Sequence, residues 1–307
     1  MLLDHKNVLG LLRYPCCGTE NKRANLTSEE SLTATSHVDD FPILICSEHQ
    51  SGVGESFSPH TSAIQRVQYN GIFRNLRRLV CPPPFVTRKN VSLLLEQLFA
   101  HSDTPRVLIV GGATIGEGME PFYDDSNIEL VSFDIYRTPY VQFIADAHCI
   151  PLKDNSFDAV IVQAVLEHVF YPERVIAEVS RVLKPDGLVY AETPFLQQVH
   201  EGAYDFTRYT ESGHRLLFRH FHLIKSGACS GAGTQLLWAL EGFFTGLFRT
   251  KYAGKVVKVL LFWIMFFDFI IPESYNIDAA NGVYFLGSKS SSLLSESEII
   301  SHYKGAQ

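Results

Sequence analysis

Gly111, Gly112, Gly116 and Gly118 fall directly behind the apolar run Arg106–Val110. A loop without Cβ atoms turns sharply and lets a ligand come close to its backbone. A helix after such a loop offers free N–H groups and a positive dipole end to an anionic group. Further on, the apolar run IELVSFD ends in Asp134, where a carboxylate can take both hydroxyls of a ribose. These features outline a nucleotide-cofactor site. A second set of chemistry-bearing residues lies in HEGAYDFTRYT, residues 200–210. His200 with the nearby carboxylate of Asp205 can act as general base on a hydroxyl. Arg208 can clamp a phosphate or carboxylate. The competing reading pairs Asp205 with Arg208 to hold a lid.

The elements that must position these residues are legible in outline. Residues 106–110 read as a buried strand, and IELVSFD as a second. The first helix after the loop is short, because Pro121 and the turn Asp124-Asp125-Ser126-Asn127 intervene. Pro172 suits a first helical position, and Val175, Ile176, Val179, Val182 and Leu183 share one face of a helix running to Leu183. Lys184-Pro185-Asp186-Gly187 suits a type I turn with Pro second and Gly fourth, feeding the strand LVYAET. FHLIKSGA and NGVYFLGSK read as later strands, the last of them antiparallel. Helices are expected from near Asn90, after the break at Pro82-Pro83-Pro84, and over about 234–248.

Between Phe143 and Phe195 the chain resembles the class I S-adenosylmethionine-dependent methyltransferases. The resemblance rests on Asp146-Ala147, Pro151 with Asn155-Ser156-Phe157-Asp158, Leu166-Glu167-His168, Glu178 with Arg181-Val182-Leu183-Lys184-Pro185, and Gly187. It implies an α/β, Rossmann-like fold: a mostly parallel seven-stranded sheet with one antiparallel strand and helices on both faces. It implies S-adenosyl-L-methionine as cofactor, met by backbone at Gly111, Gly112, Ala113 and Gly116, by Asp134 on the ribose, by Asp146 and Ala147 on the adenine, and by Gln163. Glu167 and His168 follow the fourth strand, where the family keeps groups near the reacting methyl. His168 either packs and orients this turn or moves a proton. In one related group two glutamates and a histidine here bind a divalent metal. This chain has Ala164 at the first carboxylate position, so no metal is expected. His200, His168 and Asp205 are the catalytic candidates, and Arg208 and Tyr204 the substrate-binding ones. The glycine loop departs from the family's acidic-x-Gly-x-Gly-x-Gly pattern: Ile109, Ala113 and Ile115 replace the acidic residue and two glycines. That departure motivates a rival reading as a non-catalytic methyltransferase-like binding protein. Gly111-x-Ala113-x-x-Gly116 also passes as a nicotinamide-dinucleotide fingerprint, but an oxidoreductase leaves the pattern from Asp146 to Gly187 unexplained.

The rest of the chain bounds this reading. A 46% hydrophobic share supports a substantial core in 307 residues. The formal net charge of −7 argues against a nucleic-acid partner. Charged residues interrupt the N-terminal apolar run, and the six cysteines are scattered, so reduced thiols in a cytoplasmic protein are expected. Residues 1–46 read as a small separate module resembling a degenerate zinc knuckle. Tyr14 stands at its first ligand position and only Cys17 remains of that pair; a rebuilt site would need Cys16 or Cys17, His37, Cys46 and His49. Residues 47–89 read as a linker followed by a basic helical segment containing Arg66, Arg74, Arg77 and Arg78. The methyltransferase domain is expected over 90–290, with a cofactor half at 106–195, substrate and cap elements at 196–280, and a frayed tail at 291–307. The apolar run 256–271 is interrupted by Lys258 and Asp268 and is too short to span a bilayer. Core packing is the expectation, and an interfacial helix beside Arg249, Lys251 and Lys255 the alternative. Related sequences are associated with glycan or lipid-linked sugar assembly, which suggests O-methylation of a sugar or of a glycan, lipid-linked or small-molecule acceptor, with peripheral membrane contact through 249–271.

Overall fold

A computed structural model describes residues 2–13, 36–38, 41–44 and 85–307. The strands are β1 (Ser36–Val38), β2 (Phe41–Ile43), β3 (Arg106–Val110), β4 (Glu129–Asp134), β5 (Phe143–Ile144), β6 (Phe157–Gln163), β7 (Leu183–Pro194), β8 (Phe221–Ser230) and β9 (Gly282–Lys289). They form one sheet in the order β1-β2-β5-β4-β3-β6-β7-β9-β8. The seven strands from β5 to β8 are the expected sheet, with β9 antiparallel to both β7 and β8. Because β3 lies between β4 and β6, the chain leaves it in opposite directions, which opens a crevice at the carboxyl ends of these strands.

The central strands are buried on both faces, as parallel strands covered by helices must be. Along β3, Leu108 and Val110 join one core and Val107 and Ile109 the other. Helix α4 (Pro172–Val182) covers the first face with Val175, Ile176, Val179 and Val182. Helix α2 (Phe85–His101) covers the second with Val91, Leu94 and Leu98. It starts five residues earlier than Asn90 suggested. Asn90 is buried and makes tertiary hydrogen bonds with Tyr190 and Lys225. The turn before the apolar part of β7 also differs from expectation. Asp186 has φ of 60°, which suits the third residue of a type II turn and not of type I.

Three further expectations are corrected. Within 1–46 the described residues do not stand apart: helix α1 (His5–Leu11) lies between two bridges, Leu2 to Leu130 and Leu12 to Leu152, and β2 pairs with β5. Cys16, Cys17, Cys46 and His49, like the basic segment with Arg66, Arg74, Arg77 and Arg78, lie outside the described residues. The C-terminal tail holds a capped helix, α9 (Glu296–Ser301), preceded by α5 (Glu211–Leu217), α6 (Ala232–Phe248), α7 (Lys251–Leu261) and α8 (Glu273–Asp278). Ile299 is buried, Ser295 and Glu298 make a capping box, and His302 pairs with Glu211 of α5. Finally, the apolar run 256–271 is not core. It forms the end of α7 and a 3-10 helix, Phe262–Phe269, packed on α6, with Met265 buried but Leu260 66% and Phe269 75% exposed. No described helix is long and apolar enough to cross a membrane.

His214 on α5 sits under the antiparallel end of the sheet, with Nε2 3.1 Å from Thr193 Oγ1. Burial pushes its pKa down to about 3. The unfolded chain binds this proton near the ordinary histidine value and the folded chain does not. Stability is therefore lost as pH falls from about 6.5 toward 3. Thermal midpoints measured across that window are expected to fall less steeply for His214→Asn than for the unaltered chain.

Candidate active site

The glycine loop is built by close approach of three strand ends. Gly111 has φ of 75°, and a Cβ there would lie 2.3 Å from Cγ2 of Val165. A Cβ on Gly112 would meet Ser132 Oγ, and one on Gly116 would meet Gln163 Oε1. The loop's departure from the family pattern thus leaves glycine where β4 and the turn after β6 press on it. The Gly111 and Gly112 amides both donate to Phe133 O at 3.0 Å, so these two amides serve the loop's own anchoring and not the methionine part of a cofactor. Ala113 N donates to Asp134 Oδ2 at 2.9 Å, and Tyr136 N to Asp134 Oδ1 at 3.1 Å. Burial raises the Asp134 pKa, and these backbone donors oppose it. Helix α3 (Glu120–Asp124) is little more than one turn long, so a helix dipole contributes little here.

The other cofactor candidates line the same crevice. Asp146 Oδ1 accepts from His148 N at 2.9 Å and from the His148 ring at 2.6 Å, while His148 Nε2 accepts from Tyr171 N. Ala147 is buried beside it. Gln163 Nε2 donates to Glu117 O and to Glu192 Oε2. Glu192, at the carboxyl end of β7, also accepts from Thr87 and Tyr190. Its burial raises its pKa, and the three donors pull the other way. Sequence reasoning passed over Glu192, Thr87 and His148. A lone acid closing the apolar strand LVYAET was the available signal for Glu192. Thr87 carried none, because its partner is 105 residues away.

The acceptor-side candidates converge. Ala164, at φ 55°, turns the chain after β6 so that Glu167 points inward and is fully buried. Phe206 N and Thr207 N donate to Glu167 O, tying the segment after β7 onto this turn. His168 Nδ1 lies 2.7 Å from Tyr204 O, and His168 Nε2 lies 3.1 Å from His200 Nε2. Glu167 Oε1 is 3.6 Å from both of those Nε2 atoms. Asp205 Oδ2 accepts from His200 N, faces His200 Nδ1 at 3.4 Å and pairs with Arg208. The Asp205–Arg208 pair anticipated as a lid clasp is therefore formed. Arg208 Nη1 is buried without a partner among the described residues. Glu167, then Asp205, holds the His200 imidazole above its ordinary pKa, against the effect of burial and of Arg208. Tyr204 is exposed beside this cluster. Asp134, Glu201 and Tyr204 all raise the pKa of Tyr136, after its burial, so the 201–204 segment lies over the end of β4.

Residues 124–191 match the family described as a methyltransferase domain. The match covers β4 to β7 and begins after the glycine loop. A demethylmenaquinone methyltransferase of Renibacterium salmoninarum is 42% identical over 98 residues, covering 28% of this chain and 40% of the relative. A ubiquinone/menaquinone biosynthesis C-methyltransferase of Neisseria gonorrhoeae is 41% identical over 64 residues, covering 20% of this chain and 26% of the relative. The alignments thus span less than half of these relatives. A solved phosphoethanolamine N-methyltransferase of Haemonchus contortus with S-adenosyl-L-methionine has a TM-score of 0.44 at 15% identity, covering 75% of this chain and 60% of that one.

The Gly111 contact makes a stability prediction. Gly111→Ala adds a methyl where φ is positive, costing about 1–2 kcal/mol, and forces Val165 aside, for about 1–3 kcal/mol more. Denaturant unfolding is expected to register a loss within that sum; an unchanged midpoint would remove the close approach from the account.

Proposed function

We propose that this chain is a methyltransferase using S-adenosyl-L-methionine, acting on a hydroxyl of a sugar or lipid-linked acceptor. The observation that carries the reading is Asp134, a carboxylate at the end of β4 facing a loop in which added Cβ atoms would collide with β4 and the turn after β6. The loop and carboxylate fit a nucleoside, with Asp146 and Ala147 at the next strand end for its base. The cofactor supplies an electrophilic methyl on a sulfonium. The protein's task is then to align donor and acceptor and to exclude water. His200, oriented by Asp205, is the group that would take the proton of an acceptor hydroxyl. Arg208, with one nitrogen unpartnered among the described residues, would hold an anionic part of the acceptor. A second reading, methylation at carbon, is favoured by the C-methyltransferase name of the Neisseria relative.

The same reading extends to a membrane surface. Helices α6 and α7 and the 3-10 helix turn Phe243, Leu247, Val256, Leu260, Trp263 and Phe269 outward. Exposed apolar stripes of this kind mark contact sites. The two acids of 232–271 are used internally: Glu241 pairs with Lys258, and Asp268 accepts from Gly231, Gly233 and Thr234. The exposed charges among them are the basic Arg249, Lys251 and Lys255, on a chain of net −7. Basic residues beside an apolar helical face with an interfacial tryptophan suit an anionic lipid surface.

Two measurements test these statements. Calorimetric titration with S-adenosylhomocysteine is expected to give micromolar binding that Asp134→Ala abolishes; no binding to the unaltered chain would sink the enzyme reading. Co-sedimentation is expected with phosphatidylglycerol-containing vesicles and not with pure phosphatidylcholine. Replacing Arg249, Lys251 and Lys255 by glutamate should weaken it at least roughly tenfold. Concentration-dependent dimerisation without vesicle binding would assign the face to a second copy instead.

A further inference from the structure

We propose that Glu167, His168 and His200 form a three-ligand site for a divalent transition-metal cation of the zinc type. Each offers one ligand atom, and these atoms all lie within 4.8 Å of one another. The hydrogen-bond pattern fixes what those atoms carry. His168 Nδ1 faces the carbonyl of Tyr204 at 2.7 Å and must hold its proton there, which leaves Nε2 as a bare lone pair. His200 Nδ1 faces the Asp205 carboxylate at 3.4 Å, which favours the same tautomer and a second bare Nε2. The two Nε2 atoms then point at each other across 3.1 Å. Glu167 completes the triangle at 3.6 Å from each, and among the described residues neither of its buried carboxylate oxygens has a donor within 3.5 Å.

Two lone pairs and a buried carboxylate facing one another repel unless something positive sits between them. One proton bridges the imidazoles and leaves Glu167 unsatisfied, a costly state for a buried charge. A cation serves all three at once. The dimensions agree: a tetrahedral ion with bonds of about 2.0–2.1 Å holds its ligand atoms about 3.3 Å apart. The outer contacts agree too, because metal-bound histidines characteristically give their other ring N–H to a carbonyl or a carboxylate. The His168 and His200 side chains are 21% and 29% exposed, so a fourth ligand can reach the ion from solvent. Ala164 argued against a metal because only the turn after β6 was counted; the third ligand comes from His200, 32 residues beyond His168. Ion binding displaces the proton, so that His200 then acts on an acceptor through the ion and no longer as a free base.

The test uses the full chain after chelation, titrated with Zn²⁺ and with Co²⁺ alone, without cofactor, so it is independent of the methyl-transfer reading. The expected result is stoichiometric binding that is retained when Cys16, Cys17 and Cys46 are all replaced by serine. It should be lost in His200→Ala and Glu167→Gln, and weakened roughly 10- to 100-fold in Asp205→Asn, which releases His200 Nδ1. Circular dichroism identifies variants that stay folded, and His168→Ala substitutes for either ligand variant that does not. No binding to the unaltered chain overturns the proposal. So does binding that survives in the folded ligand variants but is lost in the cysteine variant.

Discussion

The site depends on one steric constraint: the backbone of residues 111–116 must lie where side chains of β4, of β6 and of the turn after β6 already are. Val165 occupies the place of a Gly111 Cβ, Ser132 that of Gly112 and Gln163 that of Gly116. With the Phe133 carbonyl holding two loop amides and Asp134 a third, the loop is clamped to β4 as well. Gln163 passes the constraint on, since it binds Glu192, which in turn holds Thr87 of α2 and Tyr190 of β7. Val165 is two residues from Glu167. A single crowded layer therefore sets both the nucleoside side and the histidine side of the crevice, and a change on one side is felt on the other.

Much of the pattern that marks the methyltransferase resemblance turns out to hold the sheet together. Asp158 accepts from the Arg106 amide at the start of β3 and from Lys184 at the start of β7. Glu178 accepts from Ile150 N and Arg181, and Arg181 in turn donates to the carbonyls of Ile150 and Leu152. These groups fix how α4 and the turn before β6 meet the strands. Such a signature identifies a fold readily and says little about an acceptor, which other residues touch.

The strands β3, β4, β8 and β9 were legible as short apolar runs, and the helix after Pro172 because its apolar residues repeat at the helical period. Asp134 was legible because it closes such a strand. What sequence could not supply was distance across the chain. The approach of His200 to His168, of Thr87 to Glu192 and of Leu2 to Leu130 joins residues whose separation carries no periodic signal. The run 256–271 misled for a different reason. Hydrophobicity does not by itself mean burial: α6 and α7 pack chiefly on each other and on the 3-10 helix, with α8 at the start of α6, and much of their apolar surface is left facing outward.

The charge of the crevice bears on which cofactor it suits. Asp134 and Glu192 stand at the ends of β4 and β7, Glu167 and Asp205 in the segments that follow β6 and β7, and among the described residues only Asp205 of these four pairs with an Arg or Lys, Arg208. Glu192 is held by neutral donors and Asp134 by backbone N–H groups, so both are stabilised without a formal positive charge beside them. A pyrophosphate would meet repulsion here, and the Gly111 and Gly112 amides that would cradle it already donate to Phe133. A nicotinamide dinucleotide is therefore a poor fit despite the Gly-x-Ala-x-x-Gly spacing. A ligand carrying a sulfonium and an ammonium group brings the opposite charge to the same place. The field that disfavours the dinucleotide favours such a donor, and it also draws a metal cation toward Glu167.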